Sequence, residues 1–127
     1  MLVGYIRVST DDQNLNLQKD ALIKYGIDQR NIFSDKTSGS KDKRVGLDKA
    51  IEFLKDGDTL VVWKLDRLGR SLAHLIDVIT NLKNRNVSFV SITEGMDTTT
   101  ASGELFFHIF GALAQFERSL IQERVKA

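Results

Sequence analysis

Apolar residues along this chain switch repeatedly between a period near two and a period near 3.6, and that alternation constrains the fold more than any other feature. Leu2 to Val8 reads as a first strand. Asn14 to Tyr25 reads as a helix, with Leu15, Ala21 and Leu22 facing inward and Gly26 placed to end it. A short strand from Asn31 to Ser34 precedes a polar loop holding Ser38, Gly39 and Ser40. A second helix, Val45 to Asp56, carries Leu47, Ala50, Ile51 and Leu54 at helical spacing and stops at the Asp56-Gly57-Asp58 turn. Thr59 to Trp63 is a nearly continuous apolar strand, the pattern of one buried on both faces. Ser71 is placed to cap a third helix, because its oxygen can accept from the open N–H groups ahead of Leu72, Leu75, Ile76, Ile79 and Leu82. Val87 to Thr93 is a fourth strand.

Strands separated by helices need crossover connections, so the expected class is α/β, a largely parallel central sheet with helices on both faces. Ligands of such sheets bind beyond the C-terminal ends of the strands. Three polar groups fall there: Arg7 and Ser9 close strand one, Asp35 follows strand two, and Lys64 to Arg70 follow strand three. No internal repeat, low-complexity tract or linker interrupts the pattern. A length of 127 residues fits one domain that buries roughly two-thirds of its unfolded surface without a metal or a disulfide.

The inventory of reactive groups narrows the chemistry. With no Cys there is no disulfide framework, thiolate zinc site or cysteine nucleophile, and His74 and His108 are a poor metal cage. No apolar run approaches the ~18 residues of a membrane span, and no basic stretch leads into an apolar one at the N-terminus, so a soluble, cytoplasmic protein is expected. A net charge of +1 argues at first against a nucleic-acid partner. Position reverses that argument. Lys36, Lys41, Lys43, Arg44, Lys64, Arg67 and Arg70 face only Asp42 and Asp66 in their two segments, so a local basic excess sits on a mildly acidic body. Two solvated basic loops are the simpler alternative.

Strand alternation puts Tyr5, Arg7 and Ser9 on one face, so a guanidinium projects from a strand that is otherwise apolar. Burying that charge requires an anion, either a bound phosphate gripped by two N–H groups or a structural carboxylate such as Asp35 or Asp66. Ser9 lies where its hydroxyl reaches the same anion, although a serine is a weak nucleophile unless its surroundings activate it. Arg67 and Arg70, three residues apart, follow Asp66 at the entrance to the third helix, whose N-terminus favours anions; a surface charge network is the alternative there. Carboxylates are too sparse for a two-metal site, and an arginine-based mechanism with a serine nucleophile fits the inventory best. A receiver-like module built on Asp11, Asp12 and Asp66 is the rival from another class, and Arg7 counts against it. A DNA-binding domain without activity is a second rival, against which the complete serine and arginine set argues.

Ser102 to Lys126 reads as one long helix, apolar nearly all round in its first half. Phe106, Phe107, Phe110 and Phe116 offer more apolar surface than one domain should bury, which points to a helix-mediated oligomer rather than a central core helix. His108 is expected to pack there rather than to catalyse. Residues 1–100 thus form an α/β core and residues 101–127 the start of a longer helix that is expected to continue.

The run Gly4-Tyr5-Ile6-Arg7-Val8-Ser9-Thr10, then Gln13 and Gln18, Asp35 with Ser38-Gly39, Arg44, and Leu65-Asp66-Arg67-Leu68-Gly69-Arg70, resembles the serine recombinases, the resolvase/invertase family. Ala114-Gln115-Phe116-Glu117-Arg118 with Glu123-Arg124 is similar to that family's oligomerisation helix, and Gly57 to Lys64 with Phe106-Phe107-His108 look closest to the DNA invertase branch. The resemblance implies a resolvase-like fold and a reaction in which Ser9 attacks DNA phosphodiesters, leaving a 5′-phosphoserine link and a free 3′-hydroxyl. Arg7, Arg67 and Arg70 would hold the scissile phosphate, Arg44 would complete the cluster and Asp66 would position an arginine. Tyr5, Gln13, Gln18 and Asp35 would support them, with Lys64 and Arg124 as DNA contacts. Phe106, Phe110, Leu113 and Phe116 would form the oligomer interface. No cofactor, metal or ATP is implied. The implied partners are a double-stranded recombination site, a second copy in a homodimer, a tetramer in the active synaptic complex and an accessory DNA-bending protein. Two departures stand out: Val45 follows Arg44 where the family usually has proline, and the arm and helix-turn-helix DNA-binding domain into which family members continue after the long helix are expected to be absent from this chain.

Overall fold

A computed structural model of the chain describes residues 1–9, 15–37, 45–68 and 71–126, with Ser9, Thr37, Val125 and Lys126 described through their backbone. Strand β1 (Leu2–Ser9) is followed by α1 (Leu15–Tyr25), β2 (Ile32–Thr37), α2 (Val45–Phe53), β3 (Thr59–Val62), α3 (Leu72–Asn84), β4 (Ser88–Ser91), β5 (Met96–Asp97) and α4 (Ala101–Lys126). The five strands form one sheet in the order β2-β1-β3-β4-β5. The first four run parallel, as the crossover argument requires, and β5 returns antiparallel beside β4.

Helices cover both faces. Leu47, Ala50 and Leu54, with Leu75, Ile79 and Leu82, bury Val3, Tyr5, Leu60, Val62 and Phe89 on one side. Leu22 and Ile27 bury Ile6, Val8, Val61 and Val90 on the other. The strand period of two thus sends alternate residues of β1 into two separate cores. Helix α4 lies against α3 and β5. Its first turn presses so closely on β5 that a Cβ at Gly103 would stand 1.7 Å from the Asp97 carbonyl oxygen, an approach only glycine permits. Thr100 caps that turn, its hydroxyl accepting from the Gly103 N–H at 3.0 Å. Lys83 at the end of α3 pairs with Glu104 at 2.9 Å, which holds the Glu104 carboxyl below the usual range.

Several expected boundaries shift for identifiable reasons. The inward stripe of α1 is Gln18 and Leu22, while Leu15, expected inside, is exposed. Helix α2 stops at Phe53 rather than Asp56, because Arg85 donates to the carbonyls of Ile51 at 2.8 Å and Leu54 at 2.6 Å. The Lys55 N–H is taken by the Asp58 carboxylate at 2.9 Å. Strand β2 runs on to Thr37, so Asp35 lies within it and not after it. Strand β4 stops at Ser91 as the chain turns at Gly95, whose φ is +67°, into β5, a strand too short to leave a periodic signal. Among the described residues no helix is long and apolar enough to cross a membrane.

Asp58 also accepts from the Met1 ammonium at 3.2 Å. Its partial burial opposes ionisation, but the Lys55 N–H and the Met1 ammonium outweigh it and hold the carboxyl below its usual value. A depressed folded pKa gives stability that is present above the unfolded value of about 3.9 and is lost as pH falls through the folded value. Asp58→Asn is therefore expected to lower the urea midpoint at pH 7 and to flatten its decline below about pH 4. Parallel pH profiles for the variant and the parent would show that Asp58 is not responsible.

Candidate DNA-cleavage site

The polar groups gather where β1 outruns β3. Strand β1 pairs with β3 only from Leu2 opposite Thr59 to Tyr5 opposite Val62, whereas its pairing with β2 continues to Ser9 opposite Thr37. Beyond Tyr5, side chains from other elements bond the β1 backbone. Gln18 Nε2 donates to the Arg7 carbonyl at 3.1 Å, and Arg67 Nη1 donates to the same oxygen at 3.3 Å. In return the Arg7 guanidinium donates through Nη2 to the Asp66 carbonyl. Asp66 and Arg67 sit in a short 3₁₀ turn, Leu65–Arg67, separate from α3, which Ser71 caps as expected by accepting from the His74 N–H at 3.1 Å. Arg67 therefore belongs to that turn and not to the helix.

The two ion pairs open to Arg7 are both absent among the described residues. Asp66 turns its carboxylate to Arg67, with Oδ1 at 3.5 Å from Nε, and itself remains largely exposed. Asp35 is engaged elsewhere: it accepts from Tyr5 Oη at 2.8 Å and from the N–H groups of Gly46 at 2.7 Å and Leu47 at 2.9 Å. Those are first-turn donors of α2, so Asp35 caps the helix from the neighbouring strand and neutralises the positive end of its dipole. Gly46 makes this approach possible, since a Cβ there would stand 2.2 Å from the Ser34 carbonyl oxygen. Val45 opens α2 at a position that also suits proline, so its presence is compatible with the helix start.

Trp63 carries two cations, with Lys64 Nζ at 4.7 Å and Arg67 Cζ at 5.9 Å from its ring centroid. Arg67 is held at only 18% side-chain exposure, in contact with both Asp66 and the β1 backbone. The result is an electropositive ledge at the C-terminal edge of the sheet, able to receive an anion. Among the described residues no cluster of three His, Asp or Glu side chains comes together as metal ligands.

Of the expected site residues, Arg7, Gln18, Asp66 and Arg67 are brought into one connected network with Lys64 beside it, while Tyr5 and Asp35 bond each other across β1 and β2 at the start of α2. Arg44, Arg70 and Gln13 lie outside the described residues, and Ser9 is described through its backbone at the end of β1. Arg124 is exposed on α4, remote in sequence from the ledge. Phe106, Leu113 and Phe116 are exposed on α4, whereas Phe110 packs in part on the core of its own chain and stacks on Phe106 at 6.4 Å. His108 is exposed and lies 3.5 Å from Glu104. Sequence reasoning missed Trp63 as a platform and Glu94, which accepts from the Leu65 N–H at 3.3 Å. The signal for Glu94 was its place just past the fourth strand, on the edge where functional groups collect.

Fold and site together define a resolvase-type domain: a largely parallel sheet with arginines on its C-terminal edge, followed by a long helix only partly clad by its own chain. The chain belongs to the resolvase family, whose model, described as Resolvase, N terminal domain, matches residues 2–127. It is 57% identical to the transposon Tn552 DNA-invertase BinR of Staphylococcus aureus, covering 100% of this chain and 66% of that protein. It is 54% identical to the serine recombinase gin of Escherichia phage Mu, covering 100% of this chain and 65% of that protein. The chain thus spans just under two thirds of the length of these curated relatives. Among solved structures, the N-terminal catalytic domain of TP901-1 integrase matches with a TM-score of 0.76 at 32% identity, covering 94% of this chain and 97% of that one.

Removing the Asp35 brace tests whether it is structural. Asp35→Ala is expected to cost about 2 kcal/mol, because two helix donors and the Tyr5 hydroxyl lose a charged acceptor at once. Chemical denaturation measures this directly, and an unchanged midpoint would remove Asp35 from the scaffold of the site.

Proposed function

We propose that the chain is the catalytic part of a site-specific DNA recombinase that cuts and rejoins DNA through Ser9. The observation that carries this reading is the state of Arg7. Its guanidinium is bonded to the backbone carbonyl of Asp66 and has no carboxylate partner among the described residues, so its full charge is available at the end of the strand that Ser9 closes. A neighbouring Arg67 adds a second charge on the same ledge. Such an arrangement suits a phosphodiester, which offers non-bridging oxygens to both guanidinium groups.

In the proposed reaction the Ser9 hydroxyl loses its proton and its oxygen bonds to phosphorus, while the bond from phosphorus to the 3′-oxygen breaks and that oxygen takes a proton. Arg7 and Arg67, joined by Arg70 and Arg44, neutralise the charge that builds on the non-bridging oxygens. Asp66 orients Arg67 through the 3.5 Å pair, while Gln18, Tyr5 and Asp35 brace the strands that carry the arginines. Gln13 acts as a further support, and Lys64 and Arg124 contact the DNA backbone. The 5′-phosphoserine link keeps the energy of the broken bond, so religation by the free 3′-hydroxyl needs neither ATP nor a metal. The names of the relatives, DNA-invertase and resolvase among them, support DNA inversion or resolution as the outcome.

Assembly follows from α4. Leu105, Phe106, Ile109, Leu113, Phe116, Leu120 and Ile121 are 38 to 62% exposed, a stripe of large apolar side chains along one helix. A second copy of the chain is its proposed partner, giving a dimer that pairs across two DNA sites as a tetramer, with an accessory DNA-bending protein as a further partner. Residues 1–100 act as the catalytic core and α4 as the oligomerisation element.

With the chain joined to a DNA-binding domain of known target, Ser9→Ala is expected to abolish the covalent adduct on a nicked suicide substrate while leaving binding intact. Arg7→Ala or Arg67→Ala should slow single-turnover cleavage by roughly 10²- to 10³-fold, and EDTA should leave it unchanged. An adduct that survives Ser9→Ala, or a strict metal requirement, would overturn the mechanism. For assembly, sedimentation of the parent chain is expected to show self-association that Phe116→Asp weakens at least tenfold. A parent that stays monomeric at high concentration would refute the role of α4.

A further inference from the structure

We infer that Glu94 is a positioning residue for the arginine turn, acting from the loop between β4 and β5. This inference rests on the proposed reaction for its functional consequence and on geometry for its physical content. The turn Leu65–Arg67 holds both Asp66, whose carbonyl binds Arg7, and Arg67, so its placement sets the spacing of the two guanidinium groups. A turn of this kind begins with backbone N–H groups that have no partner inside it. Lys64, which precedes it, supplies no side-chain cap. Glu94 supplies one from 29 residues away in sequence: one carboxylate oxygen accepts from the Leu65 N–H at 3.3 Å, and the other accepts from the Ser91 hydroxyl. Ser91 is fully buried at the end of β4, so it anchors the exposed carboxylate to the sheet.

The adjoining residues brace the same exit. Both the N–H and the hydroxyl of Thr93 donate to the Trp63 carbonyl, at 2.9 and 2.6 Å, and the Ile92 N–H donates to the Val62 carbonyl at 3.0 Å. The chain leaving β3 is therefore held at Val62, Trp63 and Leu65 by consecutive residues of the β4–β5 loop, and Glu94 is the contact nearest the arginines in sequence. Electrostatics sharpens the point. A carboxylate on the edge proposed to receive a phosphate opposes that anion, so its charge is a cost to binding and its value lies in the two bonds it accepts. Misplacing a charged group by about 1 Å can cost two orders of magnitude in rate, which is the lever Glu94 controls.

The test separates geometry from charge. Glu94→Gln keeps an oxygen for the Leu65 N–H and presents its amide N–H to Ser91, whereas Glu94→Ala removes both contacts. In this chain, Glu94→Ala is expected to speed amide exchange at Leu65 by about tenfold or more relative to the parent, and Glu94→Gln to restore protection. With the chain joined to a DNA-binding domain of known target, Glu94→Ala should slow single-turnover cleavage about tenfold without weakening DNA binding or lowering the melting temperature by more than a few degrees, and Glu94→Gln should recover the rate. Unchanged Leu65 exchange in Glu94→Ala overturns the positioning role. So does an unchanged cleavage rate, or a slow rate that Glu94→Gln fails to recover, in a background where the parent forms its Ser9 adduct. A parent that forms no such adduct overturns the proposed reaction instead, and the exchange comparison still decides whether Glu94 holds the turn.

Discussion

Strand β1 extends beyond its pairing with β3, and the rest of the site depends on how that overhang is satisfied. Backbone groups cannot be left bare in a folded chain without a penalty of about 1–3 kcal/mol each. Past Tyr5, Gln18 from α1 and Arg67 from the turn after β3 both donate to the Arg7 carbonyl. The same residue returns a bond through its side chain to Asp66. A requirement of backbone hydrogen bonding thus fixes two arginines side by side at the edge of the sheet.

From this junction the chemistry follows by charge accounting. A buried or half-buried guanidinium normally finds a carboxylate, yet the two carboxylates nearest in sequence pattern are spent on other tasks. Asp35 holds the start of α2 and the Tyr5 hydroxyl, and Asp66 faces Arg67. Among the described residues Arg7 is left with a neutral acceptor, so the ledge keeps a positive charge that suits an anionic ligand. The phosphodiester of the proposed reaction is such an anion.

Much of this was legible in the residues. The strand and helix alternation predicted a parallel sheet clad on both faces, and the arginine in β1 marked the edge where the network forms. Boundaries are less legible where tertiary contacts end an element: Arg85 takes the carbonyls of Ile51 and Leu54 at the end of α2, and the turn at Gly95 cuts β4 short. Hydrophobicity alone turns Leu15 inward, whereas the inward position belongs to Gln18, which has a backbone acceptor to meet. The exposed stripe of α4 was foreseen from its excess of phenylalanine, although Phe110 and Phe107 turn in part to the chain's own core.

By itself the sequence determined the α/β class, the family and the supply of arginines, because periodicity and residue identity are local properties that no neighbour can alter. Tertiary structure alone decided which of those groups meet. Asp35 became a helix cap, Arg7 met a carbonyl instead of a carboxylate, and Glu94 reached Leu65 across 29 residues. The last two of those contacts join segments distant in the chain and depend on the strand order β2-β1-β3-β4-β5. That order is set by the packing of the whole sheet, which no local pattern encodes.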